Sequence, residues 1–322
     1  MNELAVRAEA QPATIEVRQD ITMRCFAVVP TFNRPAIAAE SVRALLDQTV
    51  PLEGIILVEN AAEPQFEGVF PPDRVTIVRP GRNLGSAGGY AFGTQAALER
   101  GATHVMLVDD DCLIEPTAFE HLIQQLERTP DAIVGPITTT DGFELTWGRF
   151  GARGRAGGRR TVEDLPAEPF ATRGFAFHGL LLRADAIRKV GGPRGDFFLG
   201  AEDVELCRRL SAGGYEFYSC PEARARHHAP PFHDFWLFGR RQVPVGTPGH
   251  RYYVLRNRLI IWRLYHDTSF GQGVVRTVAR EFLGAFVGGR PLRRLGLLAR
   301  ALKDGLIGDP RRELRTDIPV FG

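Results

Sequence analysis

Two acidic clusters are the residues of this chain best suited to chemistry. The first is Asp109-Asp110-Asp111, which ends the apolar run His104-Val105-Met106-Leu107-Val108. That run predicts a buried strand. A strand buried on both faces belongs in a parallel sheet, where ligands collect at the carboxyl ends. Adjacent aspartates there repel each other, and loss of water raises their pKa values. A divalent cation relieves both costs, and hard oxygen ligands suit Mg2+ or Mn2+. The triplet therefore reads as a metal site for a phosphorylated substrate, against the plainer reading of a solvated acidic turn.

The second cluster is Glu202-Asp203, at the start of a helix expected over 202–212. Leu206 and Leu210 give that helix its buried face. The two carboxylates either complement the helix dipole or supply a general base for an acceptor hydroxyl. An ordinary carboxylate titrates near pH ~4 and is ionised at neutrality. His227-His228 follow the strand-like Ala223–Arg226. Neutral imidazole there completes a metal shell or serves structure alone.

Three other stretches carry weaker signals. Pro30-Thr31-Phe32-Asn33-Arg34-Pro35 places a hydroxyl, an amide and a guanidinium on a strand-to-helix turn. It suits a phosphate, or simply a helix cap. Val58-Glu59-Asn60 ends another strand, where a carboxylate can accept from ribose or base, or form a turn. In Arg82-Asn83-Leu84-Gly85-Ser86-Ala87-Gly88-Gly89 the glycines let backbone approach a phosphate or sugar. That stretch is neither a dinucleotide fingerprint nor a phosphate-binding P-loop.

The positioning elements follow from periodicity. Strands are expected at Cys25–Pro30, Gly54–Val58, Val75–Val78, His104–Val108, Ala132–Gly135 and Phe175–Arg183, with one or two more in 215–228. Helices are expected over 35–48, 87–100, 116–128 and 202–212, and from about 250 to 306. This alternation predicts an α/β protein with a mostly parallel sheet covered by helices. Residues 138–172 read as a loop or small hairpin.

The 322 residues suffice for a large core, with 44% hydrophobic and 24% charged residues, ordinary for a globular chain. A net charge of +2 gives no reason to expect nucleic acid as a partner. Cys25, Cys112, Cys207 and Cys220 are widely spaced, which indicates neither a disulfide framework nor a zinc site. The start of the chain lacks the pattern of a signal peptide. No window of about 18 uninterrupted apolar residues suggests a spanning helix. The expected compartment is the cytoplasm. Residues 271–322 hold 10 Lys/Arg against 5 Asp/Glu, so the C-terminal helices either pack on the core or lie on an anionic membrane face.

Taken in order, "VVPTFNRP", "LVEN", "RNLGSAGGYAFG", "VMLVDDDCLIEP", "FHGLLLRADAIRKVGG" and "FFLGAEDVELCRRLSAGGY…HH" resemble the family 2 inverting glycosyltransferases with a GT-A fold. The likeness is greatest to bacterial galactofuranosyl- and rhamnosyltransferases of cell-wall and surface polysaccharides. "GHRYYVLRNRLII" resembles the start of their helical extension. Residues 1–22 are polar and mixed and read as a lead-in or edge strand, and the resemblance implies a GT-A domain over 23–232 and a helical extension over 233–322. It implies that Asp109 and Asp111 bind Mn2+ or Mg2+ with His227, its neighbour His228 being the rival. Asp110 would face the donor sugar. Thr31, Arg34, Glu59, Arg82, Asn83, Gly85, Gly88 and Gly89 would line the donor pocket. Asp203 would be the catalytic base, with Glu202 beside it at the acceptor. The donor would be a nucleotide diphosphate sugar of the UDP-galactofuranose or dTDP-rhamnose type, and the acceptor a glycan or polyprenyl-linked glycan. Phe175–Gly179 departs from a tryptophan-rich stretch in those relatives. The rival readings are a sugar-phosphate nucleotidyltransferase and a non-catalytic carbohydrate-binding protein.

Overall fold

A computed structural model describes residues 23–140, 142, 144–145, 161–227, 235–237, 240–242, 247–266, 268–286 and 291–307. The lead-in expected over 1–22 and the rival ligand His228 lie outside them. The strands are β1 (Cys25–Thr31), β2 (Gly54–Glu59), β3 (Val75–Val78), β4 (His104–Val108), β5 (Cys112–Ile114), β6 (Ile133–Thr139), β7 (Phe170–Thr172), β8 (His178–Arg183) and β9 (Phe217–His227). A separate antiparallel hairpin pairs Phe235–Leu237 with Arg240–Gln242. The helices are α1 (Pro35–Leu46), α2 (Gly85–Glu99), α3 (Ala118–Arg128), α4 (Ala184–Val190), α5 (Glu202–Ala212), α6 (Pro248–Tyr265), α7 (Thr268–Gly284) and α8 (Pro291–Leu306).

The main sheet runs β3-β2-β1-β4-β8-β6-β9-β5, with β7 also on β9. Its first half, β3-β2-β1-β4, is parallel throughout. These strands are continuous apolar runs because helices cover both faces; every residue of β1 and β2 is buried. On one face, α1 and α3 pack Val42, Leu45, Phe119 and Leu122 onto the sheet. On the other, Tyr90, Ala97, Ile187, Leu206 and Leu210 of α2, α4 and α5 do the same.

The second half is mixed: β8 runs antiparallel to both β4 and β6, and β5 antiparallel to β9. Antiparallel strands give no helical crossover in the sequence, so this half is the less legible one. The chain also jumps after Asp111, because β4 is central while β5 forms the far edge. α6 adds a smaller core: Tyr252, Tyr253, Leu255 and Leu259 pack with Val274 of α7 and Ala301 of α8. Among the described residues, no helix is long and apolar enough to cross a membrane.

Candidate active site

The Asp109–Asp111 turn lies between β4 and β5, and each of those strands brings it a histidine. The β5–β9 register sets His227 opposite Cys112, one residue past the triplet. The β4–β8 register sets His178 opposite Val108, one residue before it. A bulge in that pairing is made by Gly179, whose φ of 106° suits glycine alone. The Asp109 amide then donates to the Phe177 carbonyl at 2.7 Å.

The result is a compact donor set. His227 Nε2 lies 3.0 Å from Asp111 Oδ1 and 3.8 Å from Asp109 Oδ2. His178 Nε2 lies 3.3 Å from Asp109 Oδ2. The two imidazoles stack with centroids 4.2 Å apart. Ligand atoms of Asp109, His178 and His227 all fall within 4.8 Å of one another, close enough to hold one ion. A mixed carboxylate–imidazole set suits a borderline cation such as Mn2+. Burial alone would raise the Asp111 pKa, but the hydrogen bond and charge of His227, with Arg34, hold it well below the usual carboxylate range. Burial pushes His178 down, so this imidazole is neutral and able to ligate near pH 7.

Arg34 opens the first strand-to-helix turn and reaches the same triplet. Its guanidinium bonds Asp110, and its Nη1 donates to Asp111 Oδ2 at 3.0 Å. Asp110 is buried, which raises its pKa to about 6 against the opposing charge of Arg34. Thr31 is buried at the end of β1. Glu59, buried at the end of β2, accepts from Arg79 Nε at 2.7 Å and from the Gln65 amide. Asn83 Oδ1 accepts from the Gly85 amide at 2.8 Å, and Arg82 is exposed. Gly85 has φ +70°, and a Cβ there would sit 2.0 Å from the Phe198 carbonyl oxygen. Gly88 and Gly89 are buried, and their missing side chains serve packing. A Cβ at either would lie 2.5 Å from Leu84 Cβ or Pro30 Cβ.

The second acidic cluster faces the first. Glu202 accepts from the Ser86 hydroxyl at the start of α2. Tyr90, one turn later on α2, donates to Asp109 Oδ1. The charge of Asp109 reaches both Glu202 and Asp203 and raises both pKa values. Burial is the larger cause at each: Asp203 is pushed to about 6 and Glu202 to about 8. At neutral pH, then, Glu202 keeps its proton while Asp203 is mostly ionised. With that split, Asp203 is the carboxylate able to accept a proton and Glu202 the one able to donate a hydrogen bond.

That proton has a consequence for stability. The folded pKa of Glu202, about 8, lies above its ordinary 4.5. Its stabilising contribution is full below pH 4.5 and is lost as pH rises through about 8. Glu202→Gln is expected to flatten the melting temperature against pH between about 5 and 8, by a few degrees at the alkaline end. Thermal denaturation at both ends of that range checks it; a mutant slope equal to wild type contradicts it.

Sequence reasoning missed His178, Tyr90, Ser86 and Arg79. Ser86 and Tyr90 stood one helical turn apart in the glycine-rich stretch, a spacing that puts two hydroxyls on one face. His178 lies inside the stretch 175–183 that the sequence presents as one strand, and only the antiparallel pairing with β4 reveals its neighbour.

Comparison with known proteins places the chain in a family. The profile of glycosyl transferase family 2 matches residues 26–191. Galactofuranosyltransferase GlfT1 of Mycobacterium tuberculosis is 34% identical over 255 residues, covering 74% of this chain and 82% of that protein. The dTDP-rhamnosyl transferase RfbF of Shigella flexneri is 23% identical over 195 residues, 60% of this chain and 65% of that one. Among solved structures, GalNAc-T7 with UDP, GalNAc and Mn2+ superposes with a TM-score of 0.57 at 14% identity, over 88% of this chain and 55% of that one. TarS of S. aureus gives 0.56 at 14%, over 90% and 50%. The chain spans about half the length of those two, and the likeness is one of fold.

Proposed function

The chain belongs to glycosyl transferase family 2, and from that premise we propose that it is a metal-dependent inverting transferase acting on a nucleotide diphosphate sugar. Membership sets aside the nucleotidyltransferase and binding-module readings. The observation that carries the proposal is the meeting of the two acidic clusters on α2: Ser86 donates to Glu202 and Tyr90, one turn later, donates to Asp109.

Residues 23–232 would form the catalytic domain and 233–322 its helical extension. Asp109, Asp111 and His227 would hold Mn2+ or Mg2+, with His178 as a further ligand the sequence did not reveal. The clustered donors are Asp109, His178 and His227, one carboxylate and two imidazoles, a set that fits such an ion; Asp111 would join it through its contact with His227. When bound, the cation neutralises charge on the departing diphosphate. Arg34 supplies a second positive charge once the donor phosphates compete for it with Asp110 and Asp111. Thr31, Glu59, Arg82, Asn83 and Gly85 would line the nucleotide side, Arg79 fixing the orientation of Glu59. Asp203 would take the proton of the acceptor hydroxyl as it attacks the anomeric carbon on the face opposite the diphosphate. Glu202, protonated, would donate a hydrogen bond to the acceptor. Similarity to a galactofuranosyl- and a rhamnosyltransferase favours UDP-galactofuranose or dTDP-rhamnose as donor, and a glycan or polyprenyl-linked glycan of the cell surface as acceptor. A screen of nucleotide sugars for binding that requires Mn2+ tests the donor class. Binding that is equally tight in chelator would count against it.

The helical extension supports a peripheral contact with the inner membrane face. Val275, Phe282, Phe286, Leu292 and Ile307 are exposed apolar side chains, Leu292 by 84%, with Arg276 and Arg293 exposed beside them. An amphipathic face of this composition suits anionic lipid. Flotation with anionic liposomes at low salt is expected to carry the protein, and Phe282→Ser with Phe286→Ser to reduce the floated fraction several-fold. No flotation of the wild type would exclude the contact.

A further inference from the structure

The segment 196–201 leads into Glu202 and packs on the start of α2. Phe198 and Ala201 have φ of 63° and 65°, and Gly200 has 81°. Phe198 is the centre of a γ-turn, with the Leu199 amide donating to the Phe197 carbonyl at 2.7 Å, and Ala201 is left-handed; side chains disfavour both conformations. Such conformations persist only where their surroundings over-determine them. Here the surroundings are two adjacent residues of α6. Asn257 Nδ2 donates to the carbonyls of Phe197 at 3.0 Å, Leu199 at 3.2 Å and Gly200 at 2.7 Å. Arg256 Nη2 donates to the Phe197 carbonyl at 2.8 Å and to that of Asp196 at 3.3 Å. Arg256 also donates to Asn257 Oδ1 from Nε at 2.9 Å and Nη2 at 2.8 Å, which turns the amide nitrogen toward the loop. Both residues are 0% exposed. A guanidinium buried to that extent is costly, and here it bonds the loop carbonyls and the Asn257 amide and lies over the Tyr252 and Tyr253 rings. On the opposite side, the Phe198 carbonyl accepts from the Ala87 amide of α2 at 3.1 Å. Immediately after this segment, α5 begins at Glu202.

We infer that Arg256 and Asn257 are positioning residues for sugar transfer: by gripping the loop 197–201, they fix Glu202 and Asp203 against the start of α2, whose Tyr90 bonds Asp109. Neither touches the reacting atoms. The inference rests on the base role proposed for Asp203. It makes the first helix of the extension part of the catalytic apparatus rather than only a cover for the core.

The test compares two variants on one helix in the full-length protein. Asn257→Ala removes the grip. Leu259→Ala removes a core contact with α8, where Gly305 approaches the Leu259 side chain. Misplacing a reacting group by about 1 Å costs about 100-fold. Asn257→Ala is therefore expected to lower kcat about 10- to 100-fold with Mn2+-dependent UDP binding unchanged. Leu259→Ala is expected to lower the melting temperature and leave kcat within about twofold. Hydrogen exchange should show lost protection at 197–203 in Asn257→Ala only. Ala201→Gly, which removes the side chain the grip holds in a left-handed conformation, should recover part of the lost kcat in the double variant; a merely structural role gives no such recovery. Should Asn257→Ala not fold, Asn257→Ser is read in the same way. Unchanged kcat, or unchanged exchange at 197–203, overturns the inference. A wild-type protein that transfers no sugar overturns the base assignment instead, and the exchange arm still decides whether α6 grips the loop.

Discussion

Asp203→Asn is expected to lower kcat about a thousandfold, within the range for loss of a positioned general base, while donor binding stays near wild type. The asparagine keeps the shape of the side chain and removes its basicity. The Val204 amide, which donates to Asp203 Oδ1 at 2.7 Å, finds the same oxygen in the variant. Loss of rate without loss of binding marks an interaction made only in the transition state. The pH profile separates this from a folding defect. Burial and the charge of Asp109 raise Asp203 to about 6. Below that pH the base is protonated, so wild-type kcat/KM should fall as pH drops through about 6. A cation on Asp109 removes part of the shift, so the loaded enzyme should turn over at or slightly below that value. In Asp203→Asn this acid limb should vanish. Steady-state rates from pH 4.5 to 8 check both points; a mutant with wild-type kcat, or one keeping the same acid limb, removes Asp203 from the role.

The second large effect concerns the cation ligands. His227→Ala and Asp111→Asn are each expected to weaken Mn2+ binding at least tenfold, and chelation of the wild type to lower transfer about a hundredfold or more. The reason lies in their mutual support. His227 holds the Asp111 carboxyl in its ionised form, and removing either leaves the other poorly oriented. His178→Phe should weaken Mn2+ less than His227→Ala, because His227 reaches both Asp109 and Asp111 whereas the ion pair of His178 is with Asp109. Calorimetry, or the Mn2+ resonance signal titrated against protein, measures affinity without reliance on turnover. Wild-type Mn2+ affinity in His227→Ala and Asp111→Asn would place the ion elsewhere.

Much of the parallel half of the fold was legible because its physics is local. Cys25–Pro30 and Gly54–Val58 are uninterrupted apolar runs, as strands covered on both faces must be. Helix α5 began at Glu202, where the acidic pair and the Leu206/Leu210 spacing put it. Helix α2 begins two residues before the expected 87, because its first turn is glycine-rich and Gly85 ends the preceding turn at positive φ. The mixed half was less legible. The stretch 175–183 has the pattern of one strand, but β8 starts only at His178, after a turn that presents its imidazole to Asp109. The 215–228 stretch is one long strand, β9, that pairs with β5, β6 and β7. Those pairings depend on residues up to about a hundred positions apart, and no local period encodes them.

The site divides along the same line. The two acidic clusters stood out because like charges crowded at a strand end and a helix start need a reason. His227 stood out by its position after a strand. His178, Tyr90 and Ser86 are single residues whose significance lies in what they touch: Asp109 for the first two and Glu202 for the third.

The most direct measurement is a diffraction structure of the full chain with Mn2+ and an unreactive analogue of the donor sugar nucleotide, with the metal located by its anomalous signal. The expected result is an anomalous peak bounded by Asp109, Asp111 and His227 that touches the diphosphate, with the Asp203 carboxylate on the opposite side of the anomeric carbon and within reach of an acceptor oxygen. A peak away from those residues, or a sugar whose open face points away from Asp203, would contradict it.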